Sequence, residues 1–150
     1  MTIRRLEEIL ELFVSWEEKL SKFYAAVYGR LKNDRSRKVM ELLKTEQEKA
    51  LRVFKEMDLT KYKNTEFIKN PPDWNREEII PRDGIAADSS PEDIFDLILN
   101  CEEKLEKHYT HVRDILAYQN DRELLDVLIQ FKLNQIKSIR RYRDDYELAI

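Results

Sequence analysis

Glu17-Glu18-Lys19-Leu20-Ser21-Lys22-Phe23-Tyr24 recurs, 85 positions further along, as Glu102-Glu103-Lys104-Leu105-Glu106-Lys107-His108-Tyr109. Each copy sits inside a longer run whose apolar residues alternate by four and three, the spacing of one stripe on a helix packed in a bundle. In the first run the stripe is Leu6, Leu10, Phe13, Glu17, Leu20, Tyr24, Val27 and Leu31. The run around the second copy reads Phe95, Ile98, Glu102, Leu105, Tyr109, Val112 and Leu116. A repeat at a fixed offset means that one supersecondary unit occurs twice.

The residues that follow each copy extend the parallel. Asn33-Asp34 breaks the first stripe and offers helix caps, and a second helix is expected from about Ser36 to Met57 along Val39/Met40, Leu43, Gln47, Ala50, Phe54 and Met57. After the second copy, Asn120 or Asp121 is expected to cap a helix with the stripe Leu125, Leu128, Lys132, Gln135, Ile139, Tyr142 and Tyr146. The offset that relates the two copies also carries Gln47 onto Lys132, Ala50 onto Gln135 and Phe54 onto Ile139, so stripe falls on stripe. Short connections make each pair an antiparallel helical hairpin.

Between the hairpins the helical period is lost. Asn70-Pro71-Pro72-Asp73, Pro81-Arg82-Asp83-Gly84 and Asp88-Ser89-Ser90 read as turns. Short helical turns within this segment are expected around Trp74 to Ile80. A connection this long inside a small domain fits a crossover running the length of a bundle, since extended chain covers about 3.3 Å per residue. The third helix then opens on Ser90 as cap, Pro91 at its first position and Glu92 and Asp93 in its first turn. The expected architecture is a single all-α domain over 1–150, a four-helix bundle of hairpin 1–58, crossover 59–90 and hairpin 91–150.

Composition restricts the function classes. The 27 Lys and Arg nearly cancel the 30 Asp and Glu, and a net charge of −3 supplies no field that would gather nucleic acid. The basic segment Lys137-Ser138-Ile139-Arg140-Arg141-Tyr142-Arg143 is offset at once by Asp144, Asp145 and Glu147, and reads as a solvated helix end. No stretch has the apolar length of a membrane span or signal peptide, so a cytoplasmic protein is expected, without membrane or nucleic-acid partners. Cys101 stands alone and is expected in the core. His108 and His111 lie three apart at the edge of a stripe, where a partly exposed structural role is expected. Trp16, Phe23, Phe131 and Leu133 fall off the main stripes and would broaden the core face or pair two copies in a homodimer.

The polar residues inside the stripes point to a site. Glu17, Gln47, Glu102, Lys132 and Gln135 occupy core positions near mid-helix, with Ala50 at the remaining equivalent position. Related hairpins bring equivalent positions to one level, so two carboxylates, an ammonium and two amides should converge. Isolated buried charge is too costly to keep, and such groups pair, take up a proton or bind a metal. Glu46 and Glu48 flank Gln47 but the helical period turns them to solvent.

The spacing Glu17-six residues-Tyr24, repeated as Glu102-six residues-Tyr109, with a second helix after each, is similar to the rubrerythrin branch of the ferritin-like superfamily. The resemblance covers both hairpins and implies a ferritin-like fold. That family holds two irons with one Glu on each of two helices and a Glu-x-x-His pair on each of the other two. By this resemblance Glu17 and Glu102 match the single carboxylates and Tyr24 and Tyr109 the accompanying tyrosines. Gln47 and Ala50 stand at one Glu-x-x-His pair, and Lys132 and Gln135 at the other, so four ligands are replaced.

A protonated lysine is not a metal ligand and would sit beside the cations it had to tolerate. The expectation is therefore no cofactor, with Glu17, Tyr24, Gln47, Glu102, Tyr109, Lys132 and Gln135 forming a central polar network, and a non-catalytic structural or interaction role. The alternative is a divergent iron- or manganese-binding protein of iron or oxidative-stress metabolism that keeps Glu17 and Glu102 and recruits other ligands. A hydrolase using the two carboxylates is a further alternative, disfavoured because a site inside a bundle lacks a mouth.

Overall fold

The computed structural model describes residues 3–58, 67–69, 80 and 86–148. Four helices account for most of them: α1 (Leu6–Arg30), α2 (Asp34–Lys55), α3 (Pro91–Ile115) and α4 (Gln119–Leu148). The chain is an all-α four-helix bundle.

Local chemistry sets the helix boundaries. Asn33 caps α2 through Oδ1, which accepts from the backbone N–H of Arg35 at 2.9 Å and of Ser36 at 3.2 Å. Ser90 caps α3 in a reciprocal box: its hydroxyl accepts from the Asp93 N–H at 3.2 Å, and the Asp93 carboxylate accepts from the Ser90 N–H at 3.1 Å. Pro91 fills the first helical position, where its missing N–H costs nothing. At the other end of that hairpin the expected cap is replaced, because α4 begins at Gln119 and takes Asn120 and Asp121 into its first turn. Asp121 there complements the positive end of the helix dipole.

The stripes read in the sequence form the core. Leu6, Leu10, Phe13, Leu20 and Val27 of α1, Met40, Leu43 and Phe54 of α2, Ile98, Leu105 and Val112 of α3, and Leu125, Leu128 and Ile139 of α4 are all buried. Trp16, Phe23 and Phe131 are half-buried against this core, and of the four expected flank residues Leu133 alone is exposed. Cys101 is buried as expected, and burial pushes its thiol up to about 12. His108 is also buried rather than partly exposed, because it faces the core one position before Tyr109; His111 is exposed.

The ends of the bundle are tied by specific contacts. Where α1 turns into α2, the Arg37 guanidinium donates to the carbonyls of Tyr28 (3.0 Å) and Leu31 (2.9 Å) and lies over the Tyr28 ring. The start of α3 reaches this same end: the Lys32 N–H donates to the Ala87 carbonyl at 2.9 Å, and the Ser36 hydroxyl to the Ser89 carbonyl at 2.5 Å. At the opposite end, β1 (Ile3–Arg5), just before α1, pairs antiparallel with β2 (Phe67–Lys69), with Arg4 opposite Ile68. Ile68 is buried in the core. This strand pair was not expected from the sequence. Residue 69 thus lies at one end of α1 and residue 87 at the other, so the described ends of the connection are separated by the bundle's length. The helical turn expected over Trp74 to Ile80 lies outside the described residues, except for Ile80 itself.

Candidate functional site

All seven residues expected in a central network meet at the middle of the bundle. Glu17, Tyr24, Gln47, Glu102, Tyr109 and Lys132 are fully buried, and Gln135 is 7% exposed. Each helix supplies part: α1 brings Glu17 and Tyr24, α2 Gln47, α3 Glu102 and Tyr109, and α4 Lys132 and Gln135. Ala50 is buried without a polar atom in its side chain.

Lys132 is the hub. Its ammonium lies 2.7 Å from Glu17 Oε1, 2.7 Å from Glu102 Oε2 and 3.0 Å from Gln135 Oε1, so all three N–H donors have an acceptor. The tyrosines cross between the hairpins: the Tyr24 hydroxyl donates to Glu102 Oε1 at 2.7 Å, and the Tyr109 hydroxyl to Glu17 Oε1 at 2.8 Å. Gln47 Nε2 donates to Glu17 Oε2 at 2.7 Å and to the Glu17 carbonyl at 3.2 Å. Gln135 Nε2 donates to Gln47 Oε1 and Glu102 Oε1, both at 3.2 Å, which closes the ring. Every side-chain oxygen and nitrogen of the seven is used.

The pattern is two-fold. Under the 85-residue offset the Tyr24 to Glu102 bond maps onto the Tyr109 to Glu17 bond, and the Gln47 to Glu17 bond onto the Lys132 to Glu102 bond. Among the network residues the copies differ in charge at one position, Gln47 against Lys132. One ammonium therefore faces two carboxylates.

Electrostatics follow from that count. Burial raises the Glu102 carboxyl above its ordinary range; Lys132 opposes the rise and Glu17 adds to it. Burial would lower the Lys132 ammonium, but Glu102 and Glu17 together outweigh it, and its pKa is raised. Both tyrosines are pushed well above the usual phenol range, by burial first and then by the carboxylate each one faces. At neutral pH the lysine is charged and the phenols keep their protons, and hydrogen bonds from the tyrosines and glutamines support the carboxylates. The site is walled by rings: Phe13 and Phe54 lie 4.3 and 5.6 Å from Tyr109, and the Phe54 ring is 5.8 Å from the ammonium.

The sequence gives no sign of a mouth, yet the structure has a shallow one. A cavity of about 280 Å³ between α2 and α4, lined by Glu46, Val53, Phe131, Asn134, Gln135 and Ser138 among others, reaches Gln135. None of the other network residues lines it. Glu46, expected in solvent, is half-buried at this groove and accepts from the Tyr142 hydroxyl at 3.3 Å; Glu48 is exposed. On the surface behind, the basic residues of the α4 end are dispersed, Arg140 pairing with Glu103 and Arg143 lying 3.9 Å from Asp96.

As a metal site the donor set fits poorly. Among the described residues no three of His, Cys, Asp and Glu stand together. Glu17 and Glu102 are the two anionic donors, and the ammonium fills the space between them at bonding distance from both. A cation placed there would meet a fixed positive charge.

No protein-family model, curated protein or solved structure matches this chain. No described helix is long and apolar enough to cross a membrane.

Proposed function

We propose that this chain is a ferritin-like bundle of rubrerythrin descent in which the Lys132 ammonium has replaced the di-iron centre as the charge that holds the four helices together, and that its role is structural or interactive rather than catalytic. The observation that carries the reading is the position of Lys132 Nζ, 2.7 Å from each of the two carboxylates. Di-iron carboxylate bundles neutralise inward-facing carboxylates with two cations held by all four helices. Here one ammonium bridges the carboxylates of α1 and α3, and amides occupy two of the former ligand positions, Gln47 and Gln135.

The same geometry argues against chemistry at this centre. A general acid or base must reach a substrate within about 2.6–3.2 Å. Glu17, Glu102 and Lys132 have no exposed surface, and their hydrogen-bonding capacity is taken up by each other. Such a protein acts through its outer surface. The simplest assembly is a homodimer, to which Leu133, exposed at 42%, would contribute.

Metal analysis tests the reading. Protein purified without chelators, then loaded anaerobically with Fe(II) and desalted, is expected to carry far less than one iron or manganese per chain. Stoichiometric iron with the absorption of an oxo-bridged pair would contradict it and favour a metalloprotein that keeps Glu17 and Glu102 as ligands.

A further inference from the structure

A second cavity lies away from the central network, at the end of the bundle where α2 begins and α4 ends. It is an open trough of about 770 Å³, lined by Arg35, Lys38, Val39 and Leu42 of α2, Phe95 of α3, and Tyr142, Asp145 and Tyr146 of α4. That volume falls within the ~300–1,000 Å³ of small-molecule sites. Its lining is mostly apolar, with Phe95 and Val39 buried in the core and the Phe95 and Tyr146 rings 6.2 Å apart.

The charges around it are unspent. Arg35, Lys38 and Asp145 are exposed, and among the described residues none of the three has an ion-pair partner. Both cations stand on α2 and the carboxylate on α4, so the lining carries an excess of one positive charge. Asn33 already accepts from the Arg35 and Ser36 N–H groups, which leaves anion recognition here to side chains rather than to the helix terminus. The Tyr142 hydroxyl is engaged by Glu46, which does not line the cavity.

An apolar trough with a net positive rim on one wall selects a molecule that has an apolar tail and one negative head. We infer that this cavity binds a medium-chain fatty acid, its carboxylate held by Arg35 and Lys38 and its tail laid against Val39, Leu42, Phe95 and Tyr146. A guanidinium and an ammonium side by side suit a carboxylate, and Asp145 opposite keeps the head on the α2 wall. The inference does not depend on the descent proposed for the bundle centre, which shares no residue with this cavity.

Titration calorimetry of the full chain with laurate, kept below its critical micelle concentration, tests it. Saturable binding at one laurate per chain is expected, with no heat from acetate, which has the head without the tail. Dodecyltrimethylammonium, the same tail on a cation, is expected to bind at least about tenfold more weakly. Arg35→Glu/Lys38→Glu should weaken laurate about tenfold or more while leaving the thermal melt in place, since both side chains are exposed. Arg35→Gln/Lys38→Gln serves the same purpose should the reversal fail to fold. Non-saturable uptake of laurate, equal affinity for the cationic amphiphile, or unchanged laurate affinity in the charge variants would overturn the proposal.

Discussion

Lys132 shows what a buried charge needs in order to persist. Three N–H donors end on three oxygens, and each carboxylate it faces is also held by a tyrosine and an amide. Burial of the two phenols, and the two carboxylates that face the ammonium, leave all three groups protonated in the fold at pH values where the unfolded chain has begun to release protons. Tyr24 and Tyr109 are raised above an ordinary phenol value of 10.0 and Lys132 above an ordinary ammonium value of 10.5. A group whose folded pKa is raised lends stability that is complete below its unfolded pKa and disappears as pH rises through the folded one. Stability should therefore fall steeply above pH 10, by at most about 1.4 kcal/mol per pH unit for each of these groups. Urea unfolding at pH 9, 10 and 11 measures the slope, and Tyr24→Phe/Tyr109→Phe should make it visibly shallower. An unchanged slope in that variant would mean the phenols do not hold their protons in the fold. Glu102 contributes with the same sign at lower pH, from 4.5 upward, because its carboxyl is also raised.

At the scale of elements, the sequence carried most of the helices and missed what depends on distant partners. The stripes of α1 to α4 were legible because polar residues at core positions keep the spacing of four and three, so Glu17 or Lys132 interrupts chemistry without interrupting period. Ser90-Pro91 was legible as a helix start because cap and first-turn residues act locally. Asn120 and Asp121 were not, since a short polar side chain suits a cap and a first turn equally. The β1–β2 pair had no local signal at all: each strand has three residues, and its partner is about sixty residues away in the chain. The buried His108 escaped for a related reason, lying just off the stripe where packing rather than period decides. The register of these elements makes a direct prediction. Gln47, Lys132 and Gln135 bond to Glu17 or Glu102, and Ala50 is buried three residues after Gln47 on the same helix, so Gln47→Glu, Ala50→His, Lys132→Glu and Gln135→His together should create a six-ligand site. The quadruple variant is expected to melt higher with Fe(II), Mn(II) or Zn(II) than without, read by circular dichroism. A well-folded variant with no metal-dependent rise would mean the helices meet in another register.

On the scale of the whole molecule, the bundle is two hairpins joined across their centres by one charged cluster. The reciprocal bonds Tyr24 to Glu102 and Tyr109 to Glu17 each link one hairpin to the other, as does the contact of Lys132 with Glu17. That these groups would converge was legible from the repeat. Which oxygen each tyrosine takes, and the opening at Gln135, were not, because they depend on side-chain packing among all four helices. The cavity at the α2–α4 end was equally hidden, since its lining comes from three helices whose ends meet only in the fold. Breaking a buried pair from one side typically costs ~3–5 kcal/mol, whereas removing both charges costs far less. The most direct test is therefore a double-mutant cycle on unfolding free energy, with Lys132→Met, Glu17→Gln/Glu102→Gln and their combination measured by urea denaturation at pH 7. Lys132→Met is expected to destabilise the wild type strongly and the Gln/Gln background much less, with a coupling energy above ~1 kcal/mol. Additivity to within ~0.5 kcal/mol would contradict a charge network centred on Lys132.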